Sequence, residues 1–277
     1  MMDLKQPDIL EGDVMEAVAA VATRSTVPAN VTPFRARSAL RDVSRAAPTY
    51  SPCDNRDPTA SRGRDADELA NLDEIVTART RMAKGEILYR SGGRFADLYV
   101  IRLGSFKTVL LADDGAEQVA GYHMAGEILG ADGIGTGLHD SEAVALEDSE
   151  VWAISFDRLQ TLARDRMAVQ QNFHRVLSRE IVRERKIMMM LGTMSAEQRL
   201  AAFLLDLSER YRERGYSSSE FVLRMTREEI GSYLGLKLET VSRLFSRFQR
   251  EALLQVRGRV VKLLDLMSLK ELLEHSA

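Results

Sequence analysis

Residues 226–250 read TREEIGSYLGLKLETVSRLFSRFQR, and the parsing of this stretch decides the fold of the C-terminal part. Thr226 can cap a helix start, and Glu229, three residues on, completes a capping box in which each side chain satisfies a backbone N–H of the other. Ile230 and Leu234 lie on one face of a short helix, with Gly231 on the same side leaving room for a close neighbour. Gly235 tolerates the positive φ of a tight turn. Leu236, Val241 and Leu244 then resume the apolar pattern in a second helix. The pattern predicts a helix–turn–helix, with Glu239, Ser242, Arg243 and Arg247 on the open side of its second helix.

Outward from this unit, the predicted secondary structure continues to either side. Phe221–Met225 predicts a strand leading in. Residues 253–263, LLQVRGRVVKL, predict a hairpin turning at Arg257–Gly258, which makes the unit a winged helix–turn–helix. Leu266–His275 predicts a closing helix. Upstream, Ser195 and Gln198 form a second capping box that opens a helix through Arg214, with Leu200, Phe203, Leu204 and Leu207 inward. Between Lys237 and Lys262 seven cations face two anions. The net charge of the chain is −3, so any affinity for nucleic acid must come from this local excess.

Residues 167–191 predict one long helix of about seven turns. Its apolar stripe runs Val169, Phe173, Val176, Leu177, Ile181, Ile187, Met188 and Leu191, and from Phe173 onward it makes a seam suited to pairing with a second copy. Glu184 interrupts it and would face its own counterpart across a two-fold axis. Gly192 is expected to break the helix.

The region before it has a different period. Short apolar segments alternate with glycine, and eleven of the eighteen glycines fall between Gly85 and Gly137. Short strands with glycine turns predict an antiparallel sandwich or barrel, with a hairpin tip at Asp113–Asp114–Gly115. Leu69, Leu72 and Ile75 predict a short helix in front. All six prolines lie before residue 59, and residues 1–64 read as an unstructured arm.

The expected architecture is therefore α+β. It comprises an arm (1–64), an antiparallel β-roll (65–165), a dimerisation helix (166–192) and a winged helix–turn–helix domain (193–277). No apolar run is long enough to span a membrane and no signal-peptide core is present, so the cytoplasm is the expected compartment. The single cysteine, Cys53, excludes an intramolecular disulfide.

In that order, these parts resemble the CRP/FNR family of bacterial transcription regulators, over residues 65–275. The stretches GYHMAGEILGADGIGTG and SAEQRLAAFLLDLSERYRERGYSSSEFVLRMTREEIGSYLGLKLETVSRLFSRFQ are most similar to its FNR/FixK branch. The family's E-x-x-S-R recognition signature matches Glu239, Ser242 and Arg243. The resemblance implies a homodimer reading a TTGAT-N4-ATCAA-like palindrome, genes of low-oxygen or nitrogen-oxide metabolism as targets, and RNA polymerase contacted by the loop Ala112–Ala116. The chemistry agrees. Arg243 can donate a bidentate pair to guanine, and Glu239 can accept from a cytosine amino group. Arg247, Arg250, Arg257 and Arg259 suit phosphates. Lys237 stands at the N-cap of the second helix, forgoing a cap but adding a cation there.

At the sensor end the resemblance stops. FNR itself holds a 4Fe–4S cluster on four cysteines, whereas this chain has Cys53 alone and Trp152 at the barrel position, so no iron–sulfur cluster is expected. The family's cyclic-nucleotide pocket uses a glutamate and an Arg-Ser pair. Ala131 and Ser141–Glu142 occupy those positions here, and a carboxylate would repel the cyclic phosphate, so cAMP is not expected. No cofactor is predicted. Haem or redox sensing is the alternative: His123, His139 and His174 are candidate haem ligands, although each is more often a surface or hydrogen-bonded histidine, and Cys53 is a candidate oxidation switch, although an inert thiol is the stronger reading. A cupin-like metalloenzyme, the competing class, needs a His-x-His pair, and the chain offers only His123, Glu127 and His139. No catalytic residue and no metal ligand set is predicted.

Overall fold

The computed structural model describes residues 75–112 and 115–274, all within one compact unit, Asn55–Ala277. The N-terminal arm, Leu69, Leu72, Cys53 and the tip Asp113–Asp114 lie outside the described residues.

Eight strands build a β-roll: β1 (Val76–Met82), β2 (Ile87–Tyr89), β3 (Asp97–Leu103), β4 (Ser105–Leu111), β5 (Glu117–Met124), β6 (Ile128–Leu129), β7 (Glu142–Ala145) and β8 (Ser149–Ser155). They form two antiparallel four-stranded sheets, ordered β1-β8-β3-β6 and β2-β7-β4-β5. Ile101, Phe106, Leu129 and Val151 fill the space between the sheets. The glycine-punctuated segments are thus strands, as their spacing predicts. Ile75 is buried as expected, but β1 starts at the next residue. That strand escapes sequence reading because five consecutive residues, Thr77–Arg81, are exposed, leaving no alternation of apolar and polar side chains.

Helix α1 (Phe156–Asp165) closes the roll and α2 (Met167–Thr193) leaves it. The apolar stripe of α2 is divided among three surfaces. Val176 is buried against the outer face of the β1-β8-β3-β6 sheet, where Phe173 packs beside it. Ile187 and Leu191 pack on the C-terminal core. Leu177 is half-buried, and Ile181, Glu184 and Met188 face outward. Four residues of the predicted seam therefore already have partners within the chain. Gly192 does not break the helix, which continues to Thr193; the Thr193 hydroxyl donates to the Met189 carbonyl. Extended backbone at Met194 and Ser195, the latter held by its own capping box, ends the run.

The C-terminal part holds α3 (Ala196–Glu213), β9 (Glu220–Val222), α4 (Arg227–Leu234), α5 (Leu238–Arg250), β10 (Leu254–Arg257), β11 (Val260–Leu263) and α6 (Leu266–Glu274). Leu200, Phe203, Leu204 and Leu207 of α3 are buried, as their spacing predicts. The three strands form one sheet, β10-β11-β9. Val119, Tyr122, Met124 and Leu146 of the roll join the same core as these helices, so roll and C-terminal domain share apolar packing. No helix among the described residues is long and apolar enough to cross a membrane.

Candidate nucleic-acid interface

The capping box forms as its residues predict. The Thr226 N–H donates to Glu229 Oε2 at 2.7 Å, and the Glu229 N–H donates to Thr226 Oγ1 at 3.1 Å. Gly235 ends α4 in the left-handed region, at φ 63°. Gly231 is required by the turn rather than by a passing helix. A Cβ there would sit 2.6 Å from the Leu236 carbonyl oxygen and 3.5 Å from Val241 Cγ2. Gly231→Ala should therefore push the turn away from α4, costing about 1–3 kcal/mol of unfolding free energy by analogy with overpacking. Chemical denaturation measures this loss, and wild-type stability would show that the turn tolerates the methyl group.

Helix α5 buries Val241, Phe245 and Phe248 and turns Glu239, Ser242, Arg243 and Arg250 to solvent. The Arg227 guanidinium lies 3.2 Å from the centre of the Phe245 ring, joining the first residue of α4 to α5. Glu239, Ser242 and Arg243 make no ion pair among the described residues, so nothing there competes with a base edge for them. Lys237 is exposed at the N-cap and its side chain makes no cap hydrogen bond. The wing turns one residue later than predicted. Arg257 pairs with Val260, leaving Gly258–Arg259 as the loop, and Arg257 and Arg259 are exposed on it.

Arg247 is placed differently from the other predicted phosphate contacts. It bridges Glu251 at 2.8 Å and Glu197 of α3 at 2.9 Å. Any phosphate contact by Arg247 has to displace these carboxylates. Sequence reading also missed Arg199. Its guanidinium donates to the carbonyls of Met194, Leu191 and Leu234, capping the C-terminal ends of both α2 and α4.

In the roll, the histidines singled out by sequence have structural partners. His139 is 3% exposed, stacks on Tyr89 with ring centres 3.9 Å apart, and lies 3.3 Å from Asp132. Asp132 also accepts from the Ser141 N–H and hydroxyl at 2.9 and 2.8 Å. His123 is half-buried between Thr108 and Glu127, and desolvation pulls its pKa down to about 3, so it is neutral at pH 7. His174 is exposed on α2. Among the described residues no three His, Cys, Asp or Glu side chains cluster as metal ligands would. Glu142 pairs with Arg90 at 3.1 Å. The Ser141 hydroxyl is thus committed to Asp132, with the Glu142 carboxylate beside it.

The sequence matches the family described as "Cyclic nucleotide-binding domain" over residues 79–166 and that described as "Crp-like helix-turn-helix domain" over residues 198–272. It is 50% identical to the transcriptional regulatory protein btr of Bordetella pertussis, over 76% of this chain and 87% of that relative. It is 40% identical to the fumarate and nitrate reduction regulatory protein of Escherichia coli K12, over 76% of this chain and 84% of that relative. Among solved structures, FixK2 from Bradyrhizobium japonicum superposes with a TM-score of 0.66 at 27% identity, covering 73% of this chain and all of that one.

Proposed function

The chain belongs to the CRP/FNR family of transcription regulators, and within that family we propose a homodimer that reads a TTGAT-N4-ATCAA-like palindrome. It is a DNA-binding regulator and not an enzyme. The observation that carries the finer reading is the open face of α5. Glu239, Ser242 and Arg243 stand there without ion pairs among the described residues, on a helix that also exposes Lys237 and Arg250, and the wing exposes Arg257 and Arg259. Arg243 reads guanine by a bidentate pair, Glu239 accepts from cytosine, and Ser242 adapts to either. Lys237, Arg250, Arg257 and Arg259 hold phosphates and supply affinity and salt dependence. Arg247 joins them when DNA displaces its carboxylate partners. Selection from a pool of random duplexes tests the reading. Paired, inverted TTGAT-like half-sites are expected, and a single unpaired motif contradicts the dimer.

The second copy docks along α2. The residues left for it are Leu177, Ile181, Glu184 and Met188, with Val182 and Met189 exposed beside them; Phe173, Val176, Ile187 and Leu191 support this seam from within the protomer. Glu184 stands between Ile181 and Met188, one helical turn from each, and meets a like charge at a two-fold axis. Glu184→Ala should tighten the dimer by roughly tenfold, from relieved repulsion and added apolar contact. Analytical ultracentrifugation measures it, and unchanged association removes Glu184 from the interface.

The roll works without cAMP, an iron–sulfur cluster or haem in this reading, and the packing of His123, His139 and Ser141 supports it. The targets are genes of low-oxygen or nitrogen-oxide metabolism, in keeping with the fumarate and nitrate reduction for which the Escherichia coli relative is named. RNA polymerase meets the loop Ala112–Ala116, and the protein acts in the cytoplasm.

A further inference from the structure

One buried carboxylate joins the roll, the long helix and the DNA-binding domain. Glu127 follows the tight turn between β5 and β6, and its side chain is 3% exposed. Arg210 of α3 donates to both its oxygens, at 3.0 and 2.9 Å. Arg214, at the C-cap of α3, donates to Oε1, and Arg183 of α2 to Oε2 at 3.1 Å. Two of these arginines also grip the roll's backbone. Arg210 donates to the Tyr122 carbonyl and Arg214 to the Ala125 carbonyl, each at 2.7 Å. Asp206 pairs with Arg210 and Glu180 with Arg183, so three acids balance three bases.

The surrounding apolar contact between roll and C-terminal domain is non-directional and does not by itself fix an angle. The guanidiniums do, since each is held at several acceptors at once: Arg210 by Glu127, Asp206 and the Tyr122 carbonyl, Arg214 by Glu127 and the Ala125 and Arg210 carbonyls. The cluster is not an arrangement of maximal stability: His123 Nδ1 and Arg210 Nε are buried without a hydrogen-bond partner, and well-packed apolar residues often hold a core as firmly as buried ions. Orientation is what the ions add. Two weaker directional ties support them: Lys107 to Glu229 at 2.7 Å, and the Val119 N–H to Ser232 Oγ at 2.8 Å. Apart from the Arg183 contact, which belongs to α2, these ties converge on α3 and α4, the helices that carry α5.

We propose that Glu127, acting through Arg210 and Arg214, is a positioning residue that sets the half-site spacing read by the dimer. This builds on the dimeric, palindrome-reading function above. With α2 as the common axis, a fixed angle between each roll and its DNA-binding domain fixes the distance between the two α5 helices. Half-sites lie at a set spacing along the duplex, so that distance decides which spacer fits.

The test compares the full-length wild type, Glu127→Gln and Arg214→Lys on duplexes carrying two TTGAT half-sites. Spacers are those of the operator and versions one or two base pairs longer or shorter. Wild type is expected to favour one spacer by about tenfold or more, as a geometric mismatch costs on the scale of a base mismatch. In both variants that preference should shrink to roughly threefold or less, while affinity for a duplex with a single half-site stays within about threefold of wild type. Arg214→Lys keeps the cation and supplies the answer should Glu127→Gln not fold. Folded variants that retain the wild-type preference overturn the proposal alone. A wild type indifferent to spacing overturns the proposal together with the dimeric reading beneath it.

Discussion

Arg243→Ala is expected to abolish discrimination between operator and random duplex while leaving weak, salt-sensitive binding in place. The side chain is exposed on α5 and makes no ion pair among the described residues, so its loss leaves the fold intact. One bidentate guanine contact is worth about 1–3 kcal/mol. A palindrome bound by a dimer loses two, so specific affinity should fall by about 2–6 kcal/mol, or ~30-fold to ~10⁴-fold. Nonspecific affinity comes from the phosphate-facing cations Lys237, Arg250, Arg257 and Arg259, which the substitution leaves in place, so the salt slope should barely change. Arg243→Lys distinguishes charge from geometry. It keeps the cation but not the planar fork, so it should resemble alanine in specificity and wild type in salt dependence. Titrations at several salt concentrations measure both, and equal loss of specific and nonspecific binding contradicts the readout role.

Glu127→Ala is expected to be the most damaging single change to stability outside the apolar core. It leaves Arg210 and Arg214, both buried, with two guanidiniums facing an empty place. Removing one partner of a buried ion pair costs about 3–5 kcal/mol, a large share of the total for a domain of ordinary stability. The same group makes the protein acid-sensitive. Burial alone would raise the Glu127 pKa, but Arg210, Arg183 and Arg214 outweigh it and hold the carboxyl well below its ordinary value of 4.5. A folded value below the unfolded one gives stability that is complete above pH 4.5 and is lost as the pH falls towards the folded value. Glu180 works the other way, because burial raises its pKa. Wild type should therefore lose stability steeply below pH 4.5, and the gap between wild type and Glu127→Ala should narrow there. Denaturation midpoints across pH measure both effects, and a pH-independent gap contradicts them.

Features encoded locally were legible in the sequence. The capping boxes Ser195/Gln198 and Thr226/Glu229 each span three residues and form as their spacing predicts. The exposed face of α5 follows from helical periodicity, because Val241, Phe245 and Phe248 define the opposite side. What was not legible depends on distant partners. The guanidiniums of Arg210 and Arg214 meet Glu127 across 83 and 87 residues of chain, and no spacing rule links them. Arg199 likewise reads as an ordinary helical cation until the ends of α2 and α4 are brought to it. The stripe of α2 reads as one continuous seam for a related reason. Periodicity shows that residues are buried, not by what, and here the roll and the C-terminal core take Val176, Ile187 and Leu191. The ion pair of Arg247 is hidden in the same way, since the Glu197 that binds it lies fifty residues earlier.

The most direct test of the central claim is an affinity ratio for the wild-type protein. Fluorescence anisotropy compares a TTGAT-N4-ATCAA duplex with one in which the single G·C pair of each half-site is exchanged for A·T, at the same salt. Loss of the guanine partner of Arg243 on both sides predicts binding weaker by ~30-fold or more. Equal affinity for the two duplexes would contradict the reading of this protein as a sequence-specific regulator of the TTGAT class.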